Sequence, residues 1–288
     1  MTFSIVARSA DGESWGVAVT SKFLAVGSAV PAAVAGVGAI ATQADANVAY
    51  KGLALAHLDT GATASEVVQA LIEQDEGRDH RQVGIVDADG GAAQYTGHQC
   101  LEWAGGRTGD GYAVQGNILV GPEVVEAVEE HWLANPDEPF ARRLVGALQA
   151  GDDAGGDRRG RQSAAVLVVR EGAGYGGLDD IAVDLRIDDH EDPCGELARL
   201  LDLNDLYLTA STDEEKVTID AELRKELEDF AAAGGHRDFH AWVGTENYEM
   251  RVDPGLEWID QRILDIVRQE SDGQKSGERS TGGRGTDA

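Results

Sequence analysis

Thr2 is the first residue whose type and position together could do chemistry. A small residue behind Met1 permits removal of the methionine, which leaves Thr2 with a free α-amine. That amine can act as base for the threonine's own hydroxyl, so no separate triad is needed. With an ordinary pKa of about 7.7–8.0, a useful fraction of it is neutral near neutral pH. The bland alternative is a Met-Thr start with no catalytic meaning. Lys22, one of only five lysines, is the next candidate. Its ammonium would lower the amine's pKa and stabilise developing charge; a solvated surface lysine is the alternative. Asn117, in Gln115-Gly-Asn-Ile-Leu119, could donate its amide to an oxyanion or simply occupy a turn. Gly155 to Ser163 packs Arg158, Arg159 and Arg161 beside Asp157 in a glycine-rich loop. Guanidinium forks suit a substrate carboxylate or phosphate, although pairing with Asp157 would serve structure alone.

Other motifs carry less. Gly172-Ala-Gly-Tyr-Gly-Gly177 has the spacing of a dinucleotide fingerprint, but no helix follows and it reads as a hairpin turn. Asp184, Asp188, Asp189, His190 and Asp192 could attract a hard cation or form an exposed acidic strand end, and no metal or other cofactor is expected. His236 and His240 have zinc spacing, with Arg237 where a metalloprotease carries glutamate. Cys100 near His98 invites a thiol-nucleophile reading, with a buried structural cysteine as the default.

The elements that must hold these residues read as strands before helices. Phe3–Arg8 and Trp15–Thr20 flank a polar turn as a hairpin, and Val37–Thr42 follows a Pro/Ala/Gly loop. Thr63-Ala-Ser-Glu66 is a capping box with an apolar stripe behind it. Gln82–Asp87 and Ala92–Thr96 form a second hairpin. Pro122 opens a helix carrying Val125, Val128 and Trp132, and Phe140, Leu144 and Leu148 mark another. Ala164–Val169 and Ile181–Arg186 are two further strands. Hairpins with helices in blocks predict an α+β layered fold. After Leu208 the pattern changes. Thr212-Asp-Glu-Glu215 predicts a helix start ahead of Leu223, Leu227 and Phe230, and Leu256, Ile259, Ile263 and Ile266 predict a final helical stripe. The division expected is a main domain over 1–211, a small helical module over 212–268 and a disordered tail over 269–288.

Composition narrows the partners. Among 288 residues, 52 acidic against 24 basic side chains give a net charge of −28, which repels phosphate backbones and anionic lipid. Nucleic acid and membrane are therefore not expected, and the acid-rich, lysine-poor surface reads as salt-adapted. Two cysteines cannot build a disulfide framework. The amino terminus lacks the pattern of a signal peptide, and the weakly apolar stretch from Ala25 to Ala41 is broken by Pro31, so a cytoplasmic protein is expected.

Several longer motifs occur in one order: Phe3-Ser-Ile-Val-Ala-Arg8, Val17-Ala-Val-Thr-Ser-Lys22, Ala41-Thr-Gln43, Arg81-Gln-Val-Gly84, Gln115-Gly-Asn117, Gly155 to Ser163, and Asp184 to His190. From Thr2 to about Leu208 the chain resembles the family catalogued as domain of unknown function 1028, within the N-terminal-nucleophile hydrolases. The resemblance implies an αββα layered sandwich and an amidohydrolase using Thr2, with Lys22 and Asn117 in support. Arg158, Arg159, Arg161 and Gln43 are then the candidates for holding a small anionic amide such as an acylated amino acid. The alternative is a catalytically silent binding or scaffold protein on the same fold. Residues from about 220 to 267, including Phe239 to Glu249, resemble a peptidoglycan-binding-like module; the residues alone read as a helical cap or an oligomer contact. A small-molecule substrate and a homo-oligomer are the partners expected.

Overall fold

The computed structural model describes the backbone of residues 2–281 and side chains as far as residue 272. The chain divides into two compact units, Met1–Leu201 and Asp202–Ala288. Helix and strand are both plentiful, as an α+β fold requires.

In the first unit the strands are β1 (Thr2–Arg8), β2 (Ser14–Ser21), β3 (Pro31–Val34), β4 (Gly38–Ala44), β5 (Arg81–Asp87), β6 (Ala92–Thr96), β7 (Gly105–Gly109), β8 (Tyr112–Asn117), β9 (Ser163–Arg170) and β10 (Ile181–Ile187). The helices are α1 (Val26–Ala29), α2 (Ala49–Asp59), α3 (Ala64–Gln74), α4 (Glu123–Ala134) and α5 (Phe140–Asp153), and the boundary between the units falls within α6 (Pro193–Tyr207). One sheet runs β10-β9-β2-β1-β8-β7 and the other β3-β4-β5-β6, antiparallel throughout.

Strand periodicity explains how the layers stack. Phe3, Ile5 and Ala7 of β1 join Val114 of β8 and Val166 of β9 under helices α4 and α5, in a core with Val128, Trp132, Leu144 and Leu148. The opposite face of the same sheet, with Val6, Val17 and Val19, meets Ala39, Ala41 and Val86 of the second sheet. Ile40, Val83 and Ile85 on that sheet's outer face are covered by α2 and α3 through Tyr50, Leu58, Val67 and Leu71. Each such side chain contributes about 1.5–3 kcal/mol on full burial. The order is helix, sheet, sheet, helix.

The capping box predicted at Thr63 is formed: the Thr63 hydroxyl accepts from the Glu66 N–H, and Glu66 accepts from the Thr63 N–H. The hairpin between β5 and β6 is held by Asp87, whose carboxylate accepts the N–H groups of Asp89 and Gly91. Other elements differ from the sequence reading. The Pro/Ala/Gly stretch before β4 contains strand β3, and the glycine-rich β7 and β8 form a hairpin that composition does not announce.

Gly84 of β5 has a packing reason to lack a side chain. A Cβ there would stand 2.0 Å from Gln115 Oε1, and Gln115 is fully buried. Gly84→Ala is expected to cost about 1–3 kcal/mol by overpacking, seen as a lower urea midpoint with an unchanged m-value. A variant as stable as the parent would show that the glutamine can move aside freely.

The second unit contains β11 (Lys216–Thr218), α7 (Ala221–Ala233), α8 (Phe239–Glu246), β12 (Trp258–Asp260) and α9 (Gln261–Thr281). The box at Thr212 and Glu215 is present but closes only a single 3-10 turn, and the helix behind it has its own cap in Asp220. Ile259 lies in β12 and Leu256 sits at φ 56°, so only the later half of the predicted final stripe is helical. Helix α9 continues through 269–281, where composition predicts a disordered tail; 282–288 lie outside the described residues. Among the described residues no helix is long and apolar enough to cross a membrane.

A candidate active site at the end of the first strand

Thr2 opens β1, the strand flanked by β2 and β8 in the larger sheet, and pairs in register with Ser21 on one side and Asn117 on the other. Its side chain has the parity of Ser4 and Val6, so it belongs to the layer between the two sheets. That layer changes character along its length. It is apolar around Val6, Val17 and Val86, and polar at the end where Thr2 sits.

The polar end is a hydrogen-bond network of buried amides in which Gln115 Oε1 has no partner among the described residues. Ser4 Oγ donates to Gln43 Oε1 at 2.7 Å, and Gln115 Nε2 donates to Ser4 Oγ at 2.6 Å. Gln43 Nε2 donates to Gln82 Oε1 at 2.9 Å and lies 3.3 Å from the Thr2 carbonyl oxygen. Asn117 Nδ2 donates to the same Gln82 oxygen at 2.9 Å and lies 3.4 Å from the Thr2 carbonyl oxygen. Gln82 Nε2 in turn donates to Thr96 Oγ1 and to the Gly116 carbonyl. Gln43, Gln82, Gln115 and Asn117 are all at most 2% exposed. Buried amides satisfied by one another are rigid, because breaking one contact strands its partner away from water. Thr2 is thereby fixed through its backbone carbonyl. Thr2 Oγ1 is 2.9 Å from Ser21 Oγ.

Above this floor lies a cleft of about 440 Å³, lined by Thr2, Ser21 and Asn117 and walled by Phe23 and Arg159. Ala44, Asp45, His80, Gln99, Cys100, Leu101 and Ile118 complete it. The wall beyond β4 is tied down by Arg81, which pairs with Asp45 at 3.0 Å and with Asp75 at 2.9 Å. The Arg81 guanidinium, helped by the Asn47 amide, the Tyr50 hydroxyl and the Gly77 N–H, outweighs partial burial and holds the Asp75 carboxyl far below the usual carboxylate range. This support therefore stays ionised well into acid. Two cleft residues adopt positive φ without being glycine, Ala44 at 69° and the β-branched Ile118 at 53°. Each directly follows a network residue, Gln43 and Asn117. Backbone in this region costs of order 1–3 kcal/mol and persists only where the surroundings over-determine it, a pattern that clusters at functional sites.

The candidates from sequence are brought together only in part. Thr2, Asn117 and Arg159 line the cleft, whereas Lys22 does not. Lys22 is exposed one position past the end of β2, and its backbone N–H donates to Asp157 Oδ2 at 2.7 Å. Both amide hydrogens of Asn117 have acceptors inside the network, so its geometry suits positioning Thr2 better than holding an oxyanion. Gln43, a substrate-binding candidate, is likewise enclosed in the network and positions Thr2 instead. In the glycine-rich loop, Arg158 donates to the Glu102 and Leu119 carbonyls and Arg161 pairs with Asp152 at 2.7 Å. Arg159 is the loop arginine that reaches the cleft. Its backbone N–H donates to Asp157 Oδ1 at 2.7 Å and its guanidinium pairs with Asp157 Oδ2 at 3.4 Å, the structural pairing that the sequence offered as the alternative.

No motif in the sequence marks Asp45, His80, Gln99 or Leu101. Cys100 lines the cleft as well, with burial pushing its thiol above the ordinary value, so it stays protonated at neutral pH. Its neighbour His98 is 3.2 Å from Asp79. In the acidic cluster, Asp184 pairs with Arg186 and Asp189 accepts from Gln162. His240 lies on α8, while His236 precedes the Asp238 cap of that helix, so the two do not share a helical face.

The chain belongs to the family described as "Family of unknown function (DUF1028)", which it matches over residues 2–197. It is similar to the crystal structure of a DUF1028 protein from Silicibacter pomeroyi, with 31% identity over 74% of this chain and 90% of that chain and a TM-score of 0.65. No match is found among curated proteins.

Proposed function

We propose that this DUF1028 protein is an N-terminal-nucleophile amidohydrolase acting on a small anionic amide, with an acylated amino acid as the substrate class. Its helix–sheet–sheet–helix order is read as the αββα sandwich of those hydrolases. Where maturation leaves Thr2 as the first residue, Thr2 Oγ1 attacks the amide carbonyl carbon and its proton passes to the Thr2 α-amine, directly or through one water. The amine then gives that proton to the departing nitrogen as the C–N bond breaks. Water, deprotonated by the same amine, hydrolyses the threonyl ester and restores the hydroxyl. Arg159 holds the carboxylate of the leaving portion. Ser21, within hydrogen-bond distance of the nucleophile, orients it.

The observation that carries this reading is the placement of the Thr2 hydroxyl, at the start of a sheet strand, on the floor of the cleft and beside Ser21 Oγ at 2.9 Å. One observation favours the alternative, a silent binding or scaffold protein: neither Lys22 nor a spare Asn117 hydrogen serves the cleft. Intact mass after expression, followed by an electrophile selective for N-terminal threonine, tests the choice. The expected result is a chain lacking Met1 that takes up one equivalent of label on Thr2. A retained methionine blocks the amine and removes the mechanism. On the same reading the protein is cytoplasmic and self-associating.

A further inference from the structure

Resting on that reading of the cleft, we infer that its substrate carries an apolar acyl arm, held by Phe23, Leu101 and Ile118. These residues come from three separate segments yet line one cleft with Thr2. Phe23 and Leu101 are 54% and 68% exposed. Exposed apolar side chains scattered singly on a surface need no explanation, but convergence on one concavity marks a binding surface.

Their placement is enforced from the backbone. The Ile118 N–H donates to the Leu101 carbonyl at 2.8 Å, which couples two of them directly. The Phe23 carbonyl accepts from the buried Ser163 hydroxyl. Ile118 is held at φ 53°, a conformation a β-branched residue adopts only under constraint.

The occupant follows from size and charge. A volume of about 440 Å³ suits a small molecule. Thr2 and Ser21 offer hydroxyls at the floor and Arg159 offers a cation at the wall. An amide with an anionic end and an apolar end matches all three features, with the carbonyl between them at Thr2. A purely polar substrate would leave the apolar wall wet.

Binding to the Thr2→Ala protein tests this apart from catalysis. N-acylglycines with acetyl, butanoyl, hexanoyl and octanoyl chains are titrated by calorimetry. Full burial of a methylene is worth about 0.8 kcal/mol, or roughly fourfold in affinity, and a half-open wall should return about twofold. Hexanoylglycine is thus expected to bind on the order of tenfold tighter than acetylglycine. Leu101→Asn and Phe23→Ser should flatten that slope, and Leu101→Met should keep it; all three sit at exposed positions and should leave the melting temperature unchanged. Arg159→Gln should weaken every chain length by the same factor. Equal affinity across the series, or no binding at all, overturns the acyl arm even if Thr2-dependent turnover is found. A steep series with no turnover in the unaltered protein keeps the arm and sinks the hydrolase reading. If Leu101→Asn instead dissociates a self-associated form and leaves the slope intact, the apolar wall is an interface between copies and the inference fails.

Discussion

Thr2→Ala is expected to remove turnover of any amide the protein hydrolyses, by about 10⁶-fold, the scale of loss when a covalent nucleophile is deleted. Its effect on folding should be small. The change deletes one hydroxyl that is hydrogen-bonded to Ser21, a contact worth about 1 kcal/mol net, or about 2–4 °C in melting temperature for a unit of this size. Thr2→Ser keeps the hydroxyl and the amine and should retain measurable rate. Gln82→Leu gives the contrast. It removes the oxygen that accepts from both Gln43 and Asn117, so two buried amides lose a partner. That variant should lose stability and kcat together, because Gln82 acts through the Thr2 backbone. Kinetics and melting of the three variants separate a nucleophile from a positioning residue. Full activity in Thr2→Ala would move the chemistry elsewhere in the cleft, and Cys100 would then be the next group to change.

How far the sequence reveals this site depends on which residues advertise themselves. The β1–β2 hairpin is legible because Phe3–Arg8 and Trp15–Thr20 are apolar runs with a polar turn between them, and the strand starts at Thr2, one residue ahead of the first run. The network beneath it is not legible. Gln43, Gln82 and Gln115 are polar amides near strand ends, which ordinarily lie in solvent. Here both strand faces are buried; Gln43 and Gln82 bond each other within one sheet, and Asn117 reaches Gln82 across the gap between sheets. Asn117 reads as a turn residue because glycine precedes it, yet it ends the buried strand β8. Lys22 misleads for a related reason. It follows Ser21, which does line the cleft, but one step along the chain at a strand end changes what a side chain meets. Asp45, His80, Gln99 and Leu101 come from connections with no periodicity, and only the fold brings them to Thr2.

A second large effect is expected in the second unit, from an ion pair that composition would place on the surface. Arg251 is 1% exposed and Asp260 is fully buried, with Nη1 to Oδ2 at 2.8 Å. The guanidinium also donates to the Leu206 and Asp205 carbonyls, and Asp260 accepts from the Ser211 hydroxyl at 2.6 Å and the Arg262 N–H at 2.8 Å. Burial alone would raise the Asp260 carboxyl, but the Ser211 hydroxyl, the Arg262 N–H and Arg251 together hold it below the ordinary value. A carboxyl whose pKa is depressed in the folded state adds stability above its unfolded pKa of about 3.9. That contribution is complete at neutral pH and is lost as pH falls through the folded value. Arg251→Met leaves Asp260 charged, buried and short of its partner, so it should cost about 3–5 kcal/mol, and Asp260→Leu should cost a similar amount. The double variant should recover much of the loss, because two apolar side chains of similar volume avoid the desolvation that the pair must offset. Hydrogen exchange gives the readout by position. In either single variant protection should fall over 205–267, where Phe230, Phe239, Trp242 and Ile263 form a core of their own, and persist in the strands of the first unit. Loss of protection in both units at once would show that they unfold as one. A double variant no better than the singles would mean that the other hydrogen bonds of Arg251, and not its charge partner, hold this unit together.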